Sequence, residues 1–161
     1  MIWQVPDLKV DEKLSINEIL QSDLDELFKV YSDEEVLKFT EEEVFPDMSY
    51  MKFFFESVRR GYDSKEYCEL KIAYDNKAIG TCDFHSIDID YNQCEIGFLL
   101  NRNHWGKGIM KKSLIRLIEY LKIELRIKTI IADIEDENTR AIKLVENLGF
   151  KNKESTLYHL T

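Results

Sequence analysis

Apolar and polar residues along this chain change period twice, dividing it into a helical start, a run of strands and an alternating second half. Within "SDLDELFKVYSDE", Leu24, Leu27, Phe28 and Tyr31 recur at helical spacing behind a capping serine and early acids, so residues 22–34 predict a short helix. Before it, "KLSINEI" carries a strand-like mixture. After the acidic connection "TEEEVFPDMS", the run "YMKFFFESVRR" predicts a second helix over residues 50–60. Gly61 follows it, where a helix commonly exits through a left-handed residue. The aromatic run Phe53, Phe54, Phe55 is expected in the core, with the acidic connection bordering a substrate entrance.

From Tyr67 the period shortens. "YCELKIAY" and "KAIGTCDFHSI" predict two strands joined at Asp75-Asn76-Lys77, a composition suited to a tight hairpin, and "CEIGFLL" predicts a third. Then "NHWGKGIMKKSLIRLIEYL" places Gly106 and Gly108 ahead of a helix whose Met110, Leu114, Leu117, Ile118, Leu121 and Leu125 share one face. "TIIADIE" predicts a buried strand. Asn138 caps a further helix with the stripe Ala141, Leu144, Val145 and Leu148, closed by Gly149, and "ESTLYHL" predicts a terminal strand.

Composition narrows the picture. At 161 residues and 44% hydrophobic, the chain is one domain's worth, 1–161, able to bury a core. No stretch approaches the roughly 20 continuous apolar residues of a membrane span, and the start lacks a basic segment with an apolar stretch behind it. The expectation is a cytoplasmic protein with no membrane partner. Cys68, Cys82 and Cys94 are odd in number, sit in strand-like runs and lack paired spacing, so they predict buried reduced thiols and no metal site.

Net charge is −9, which argues against nucleic acid as a partner. The charge is uneven. Between residues 102 and 128 stand Arg102, Lys107, Lys111, Lys112, Arg116, Lys122, Arg126 and Lys128, opposed by Glu119 and Glu124 alone. One basic segment on an acidic body suits a compact anionic ligand at that segment and a cationic one nearby.

A strand that runs through "NRNHW" into "GKG" and a helix brings free backbone N–H groups and the positive helix end toward an anion. Gly106 and Gly108 admit close approach, and Lys107, Lys111 and Lys112 add charge, although such a pair also serves as a plain turn. Two phosphate motifs fail. A Walker loop needs Gly-Lys-Ser/Thr, whereas Ile109 and Met110 follow Gly108, and a dinucleotide fingerprint needs a third glycine where Lys111 stands.

"NHWGKG" resembles the Q/R-x-x-G-x-G/A signature of the GNAT acetyltransferase superfamily, with Asn103 in the Q/R position. "AIGTCDFHSIDIDYNQCEIGFLL" is similar to its central hairpin and "NTRAIKLVENLGF" to its N-x-x-A/S…L-G-F helix and strand, so the resemblance runs from about residue 67 to 150. The W-G-K-G-I and E-I-G-F forms look most like the ribosomal-protein-alanine (Rim-type) branch. The resemblance implies an α+β fold of three layers: a mixed, mostly antiparallel central sheet flanked by helices, with a splayed central strand pair forming the coenzyme A cleft. Residues 1–66 would supply an N-terminal strand and acceptor-side helices, and 67–161 the acetyl-CoA-binding core. The implied activity is transfer of acetyl from acetyl-CoA to a protein N-terminus or small-molecule amine, by a monomer or homodimer. The implied cofactor residues are Phe98, Leu99 and Leu100 along the strand, Asn103, His104, Trp105, Gly106, Lys107, Gly108, Ile109, Met110 and Lys111 in the loop and helix start, and Asn138. No metal is implied.

An attacking amine must lose a proton, which calls for a nearby carboxylate or imidazole. Glu95, where the Rim-type branch often carries a glutamate, is the first candidate, and His85, at the end of the preceding strand, is the second. His104 suits a phosphate neighbour better. The family's general acid is a tyrosine or serine at positions held here by Val145 and Ala141, neither of which donates a proton. Tyr158, with Ser155, is the remaining hydroxyl candidate. That gap keeps open a second reading, a catalytically weak coenzyme-A-binding regulatory module, beside a third, a nucleotide-binding protein using the same loop.

Overall fold

The computed structural model describes residues 3–161. Its frame is one sheet of eight strands among the described residues. Their order is β1 (Leu8–Lys9), β2 (Leu14–Glu18), β3 (Cys68–Tyr74), β4 (Lys77–Asp88), β5 (Gln93–Leu100), β6 (Thr129–Asp133), β8 (Leu157–Leu160) and β7 (Lys151–Glu154). Neighbours run antiparallel except β5 and β6, which are parallel. Helices α1 (Leu24–Tyr31), α2 (Glu34–Leu37) and α3 (Met48–Ser64) precede the sheet's centre. α4 (Ile109–Ile123) links β5 to β6, and α5 (Thr139–Asn147) links β6 to β7. This is the mixed, mostly antiparallel α+β architecture expected.

Local chemistry accounts for the elements. Asp75 and Asn76 both take positive φ, 48° and 64°, which turns β3 tightly into β4 and suits these two residue types. The α4 stripe lands as spaced: Met110, Leu114, Leu117 and Leu121 are buried, and Ile118 and Leu125 pack half-buried against them. Each fully buried leucine there stabilises the fold by about 2 kcal/mol.

β4 separates two environments by strict alternation. Phe84 points to the face where the Trp3 ring meets it edge-on at 5.3 Å and Tyr120 of α4 lies 6.2 Å away. Thr81 points to the opposite face, where its hydroxyl meets that of Tyr31 from α1 at 3.1 Å. Helices thus cover both faces, and the strands' odd positions carry polar groups toward α1.

The N-terminal third departs from expectation in several places. The first helical stretch splits in two. Asp23, rather than Ser22, organises the start of α1: its Oδ2 accepts the Leu20 N–H and pairs with Lys71, both at 2.7 Å. Asp33 then caps α2 by accepting the Glu35 N–H at 3.0 Å. α3 runs through Gly61 and ends at Lys65, which takes the left-handed conformation at φ 62°. Gly61 is a glycine for a different reason: a Cβ there would lie 2.7 Å from the Tyr67 ring and 2.8 Å from the Tyr67 carbonyl. Phe53 is 69% exposed, not core, while Phe54 and Phe45 pack on Tyr31 with ring centroids 4.7 and 5.0 Å away. The terminal strand is a hairpin, β7 and β8, turning at Ser155 with φ 49°. Cys68, Cys82 and Cys94 are buried and unpaired, and burial pushes their thiols up, Cys94 to about 12.

Candidate active site

β5 and β6 pair over three rungs only, Gln93 with Thr129, Cys94 with Ile130 and Glu95 with Ile131. Beyond Glu95, β5 continues to Leu100 paired with β4 alone, so its other edge faces a gap. A cleft of about 400 Å³ opens there. Phe98, Leu99 and Leu100 form one wall, the loop and α4 start (His104 to Gly106 and Gly108 to Lys111) the floor, and Asn138, Arg140 and Ala141 at the start of α5 the other wall.

Asn101, which sequence reasoning passed over, shapes the loop. Its N–H donates to the Ile79 carbonyl at 2.7 Å, its carbonyl accepts the His104 N–H at 2.9 Å, and its side chain accepts the Asn103 N–H at 2.9 Å. Trp105 closes the turn by donating its indole N–H to the Leu100 carbonyl at 2.9 Å. Across the cleft, the Arg140 guanidinium lies 3.5 Å from the Trp105 ring centroid, a cation–π contact joining α5 to the loop. Arg102 pairs with Asp33 at 3.0 Å and ties the same loop to the α1–α2 connection.

Gly106 and Gly108 both adopt left-handed backbone, φ 74° and 73°, and a Cβ at either would meet no protein atom within 4 Å. The glycines therefore serve a backbone turn beside open space. Gly108 caps α4 with no side chain, and the first intrahelical bond is Lys112 N–H to the Gly108 carbonyl at 3.1 Å. The N–H groups of Ile109, Met110 and Lys111 are left without helical partners at the positive end of the dipole, with the exposed Lys111 beside them. That donor set fits a diphosphate.

The expected cofactor residues come together here with two exceptions. Asn103 is exposed, its N–H tied to Asn101. Lys107 faces a separate cavity of about 340 Å³ with Lys13, Tyr74 and Lys112, while His104 borders both. Burial and the Lys107 charge hold the His104 imidazole below its ordinary value. Asn138 lines the cleft and also caps α5, accepting the Ala141 N–H at 3.3 Å.

Past the end of the lining, where β5 and β6 close up, lies a row of polar groups on the α1 face. Register aligns Glu69 of β3, Asp83 of β4 and Gly97 of β5, and on the next rung His85 and Glu95. His85 Nδ1 meets Asp83 Oδ1 at 2.5 Å, and its Nε2 lies 3.5 Å from Glu95 Oε2. Asp83 raises the imidazole through this hydrogen bond and its charge, with Glu95 and Glu69 adding to the effect against partial burial. Burial and the neighbouring Asp83 hold the Glu69 carboxyl well above the usual carboxylate range, although the Tyr31 hydroxyl donates to it at 3.2 Å. Tyr158 sits elsewhere. Its ring is buried in the core on β8, opposite Ala132, so that β6 stands between it and β5. Val145 is fully buried, and Ala141 offers the cleft a methyl group.

Comparison with known proteins places this geometry. Residues 13–151 match the family model described as acetyltransferase (GNAT) domain. The chain is 32% identical over 146 residues to an uncharacterized N-acetyltransferase, p20, of Bacillus licheniformis, covering 88% of this chain and 81% of that one. The microcin C7 self immunity acetyltransferase MccE, solved in complex with acetyl-CoA and AMP, has a TM-score of 0.83 at 19% identity, covering 95% of this chain and 94% of that one. RimL, a ribosomal L7/L12 alpha-N-protein acetyltransferase solved with coenzyme A, has a TM-score of 0.83 at 15% identity, covering 96% and 95%. At these identities the two solved structures share the fold. No helix of the described residues is long and apolar enough to cross a membrane.

Proposed function

This chain belongs to the GNAT family of acetyl-CoA-dependent N-acetyltransferases, and on that premise we propose that it passes the acetyl group directly to a primary amine, with Glu95 taking the amine's proton. One observation carries this reading: the β5–β6 splay begins at Glu95, setting a carboxylate at the point where the strands part, beyond a cleft that runs from Phe98 to a left-handed glycine loop with free N–H groups. In this reading the N–H groups of Ile109, Met110 and Lys111 hold the diphosphate, and the unpaired edge of β5 from Ile96 to Leu100 accepts the pantetheine arm. The thioester then lies toward Glu95.

The transfer balances simply. An acceptor arriving as ammonium first gives one proton to solvent; the neutral amine nitrogen then bonds to the acetyl carbon, the carbon–sulfur bond breaks, the second proton passes from the nitrogen to Glu95, and coenzyme A leaves as a thiolate that solvent protonates. No side chain need supply that last proton, since a thiol with a pKa of about 8.5 leaves readily and the positive end of α5 favours the developing charge. Ala141 and Val145, which lack hydroxyls, agree with such a departure. The acceptor is cationic before reaction. A net charge of −9 over the whole chain favours the approach of an ammonium group over that of an anionic acceptor. Protein N-termini and small-molecule amines both meet that description.

The absent hydroxyls also favour a second reading, a coenzyme-A-binding module with weak turnover. Calorimetry with acetyl-CoA, followed by thiol release over amino-terminal peptides, polyamines and aminoglycosides, separates the two. Transfer predicts binding, release of coenzyme A and an equal amount of acetylated amine by mass spectrometry. Binding with no release above hydrolysis for any amine would support the module, and no binding would remove both.

A further inference from the structure

Asp83 plays no part in the transfer as described, yet it occupies a built position. A Cβ on Gly97, its partner across β4 and β5, would stand 2.5 Å from Asp83 Oδ2, so the carboxylate occupies the space that the missing side chain leaves. Its other oxygen meets His85 Nδ1 at 2.5 Å. A carboxylate only accepts, so Nδ1 carries the hydrogen, and the Nε2 lone pair of the neutral ring is left on the side of Glu95, 3.5 Å away.

We propose that Asp83 is a positioning residue: it fixes the tautomer of His85 so that Nε2 takes over the proton Glu95 has received from the amine, returning Glu95 to its carboxylate form. The inference rests on the reading of Glu95 given above. In the relay, the proton on the Glu95 carboxyl moves to His85 Nε2, the imidazolium so formed keeps its Nδ1–H on Asp83, and His85, with a side chain 40% exposed, releases the proton to solvent. The groups facing the ring are Asp83 on its own strand, Glu95 on β5 and Glu69 on β3, with the Tyr31 hydroxyl of α1 bonded to Glu69. Asp83 favours the imidazolium most, through its hydrogen bond and charge, Glu95 adds to it as a carboxylate, and Glu69 adds to it where it is ionised. The upward shift makes the neutral ring, the form that takes a proton from a carboxylic acid, the more basic.

Two variants reach the same contact from opposite sides. Asp83→Asn removes the charge and keeps the volume, while Gly97→Ala keeps every polar group and drives the carboxylate off its place. The protein has three histidines, His85, His104 and His159, so a nitrogen-detected titration assigns the His85 ring directly. In the wild type the neutral ring should carry its hydrogen on Nδ1. Both variants should mix the tautomers and move the His85 titration to lower pH, since each weakens a negative neighbour that raises it. In thiol release both should lower kcat about tenfold, leave KM for acetyl-CoA unchanged and move the acid limb of the rate profile to lower pH with the NMR titration. An unmoved His85 titration in both variants would overturn the positioning role. A moved titration with an unmoved rate profile would overturn the relay. The reading of Glu95 fails separately, if Glu95→Gln turns over like the wild type, and the NMR result stands in that case.

Discussion

Replacing Gly108 separates the two things a loop glycine can do. Its φ of 73° costs an ordinary L residue about 1 kcal/mol, and a β-branched one more. No protein atom lies within 4 Å of a Cβ built there, so no clash adds to that cost. Gly108→Ala should therefore lower unfolding stability by about 1 kcal/mol and Gly108→Asn, a residue that tolerates left-handed backbone, by a few tenths. If the loop keeps this backbone when acetyl-CoA binds, the conformational cost applies to both states and cancels from affinity. What remains is the space. Gly108 lines the cleft, and any side chain there stands where a diphosphate must approach the N–H groups of Ile109 to Lys111. Both variants should bind acetyl-CoA at least about tenfold more weakly, or 1.4 kcal/mol, with the Asn variant showing the loss at near-wild-type stability. Urea unfolding gives the first quantity and titration calorimetry the second. An Asn variant that binds like the wild type would refute the assignment of this loop, and so would losses that simply track stability.

Other expectations follow from single residues. Tyr158→Phe should slow thiol release by no more than about tenfold, because the phenol is core-packed with β6 between it and β5; a thousandfold loss at unchanged acetyl-CoA affinity would make it the general acid. Gly61→Ala should cost about 1–3 kcal/mol in urea unfolding, since the Tyr67 ring can turn aside but its carbonyl cannot, while kcat per folded molecule stays unchanged. Glu69 should make stability fall with rising pH: its folded carboxyl keeps a proton that the unfolded chain has already released. The contribution is complete below the ordinary carboxylate range and is lost as pH climbs through the raised folded value. Urea midpoints for Glu69→Gln should decline less over that window than those of the wild type, and parallel profiles would contradict the assignment.

What the sequence made legible was local. The Asp75-Asn76 turn, the α4 stripe, the buried cysteines and the left-handed glycine pair each depend on residues within a few positions of one another, so period and turn chemistry suffice. What escaped depends on partners far along the chain. Gly61 looked like a helix stop because the Tyr67 carbonyl against it belongs to the following connection, beyond the helix pattern. Asp83 gains its place from a missing side chain on β5, and Asn101 from the Ile79 carbonyl on β4. β7 is "KNKE", an exposed edge strand with no apolar alternation, made by pairing with β8 alone. Phe53 carried a core residue's chemistry onto the outer face of α3, because Phe54 and Phe45 already fill the space at Tyr31.

The central claim is that Glu95, at the point where β5 and β6 part, takes the amine's proton during acetyl transfer. Glu95→Gln keeps the shape of the side chain and removes its basicity. With the best acceptor from the amine panel, thiol release by this variant should fall about 100-fold or more, while calorimetry finds acetyl-CoA bound as tightly as by the wild type. Wild-type turnover in the Gln variant would contradict the account and leave Glu95 a surface charge on a strand.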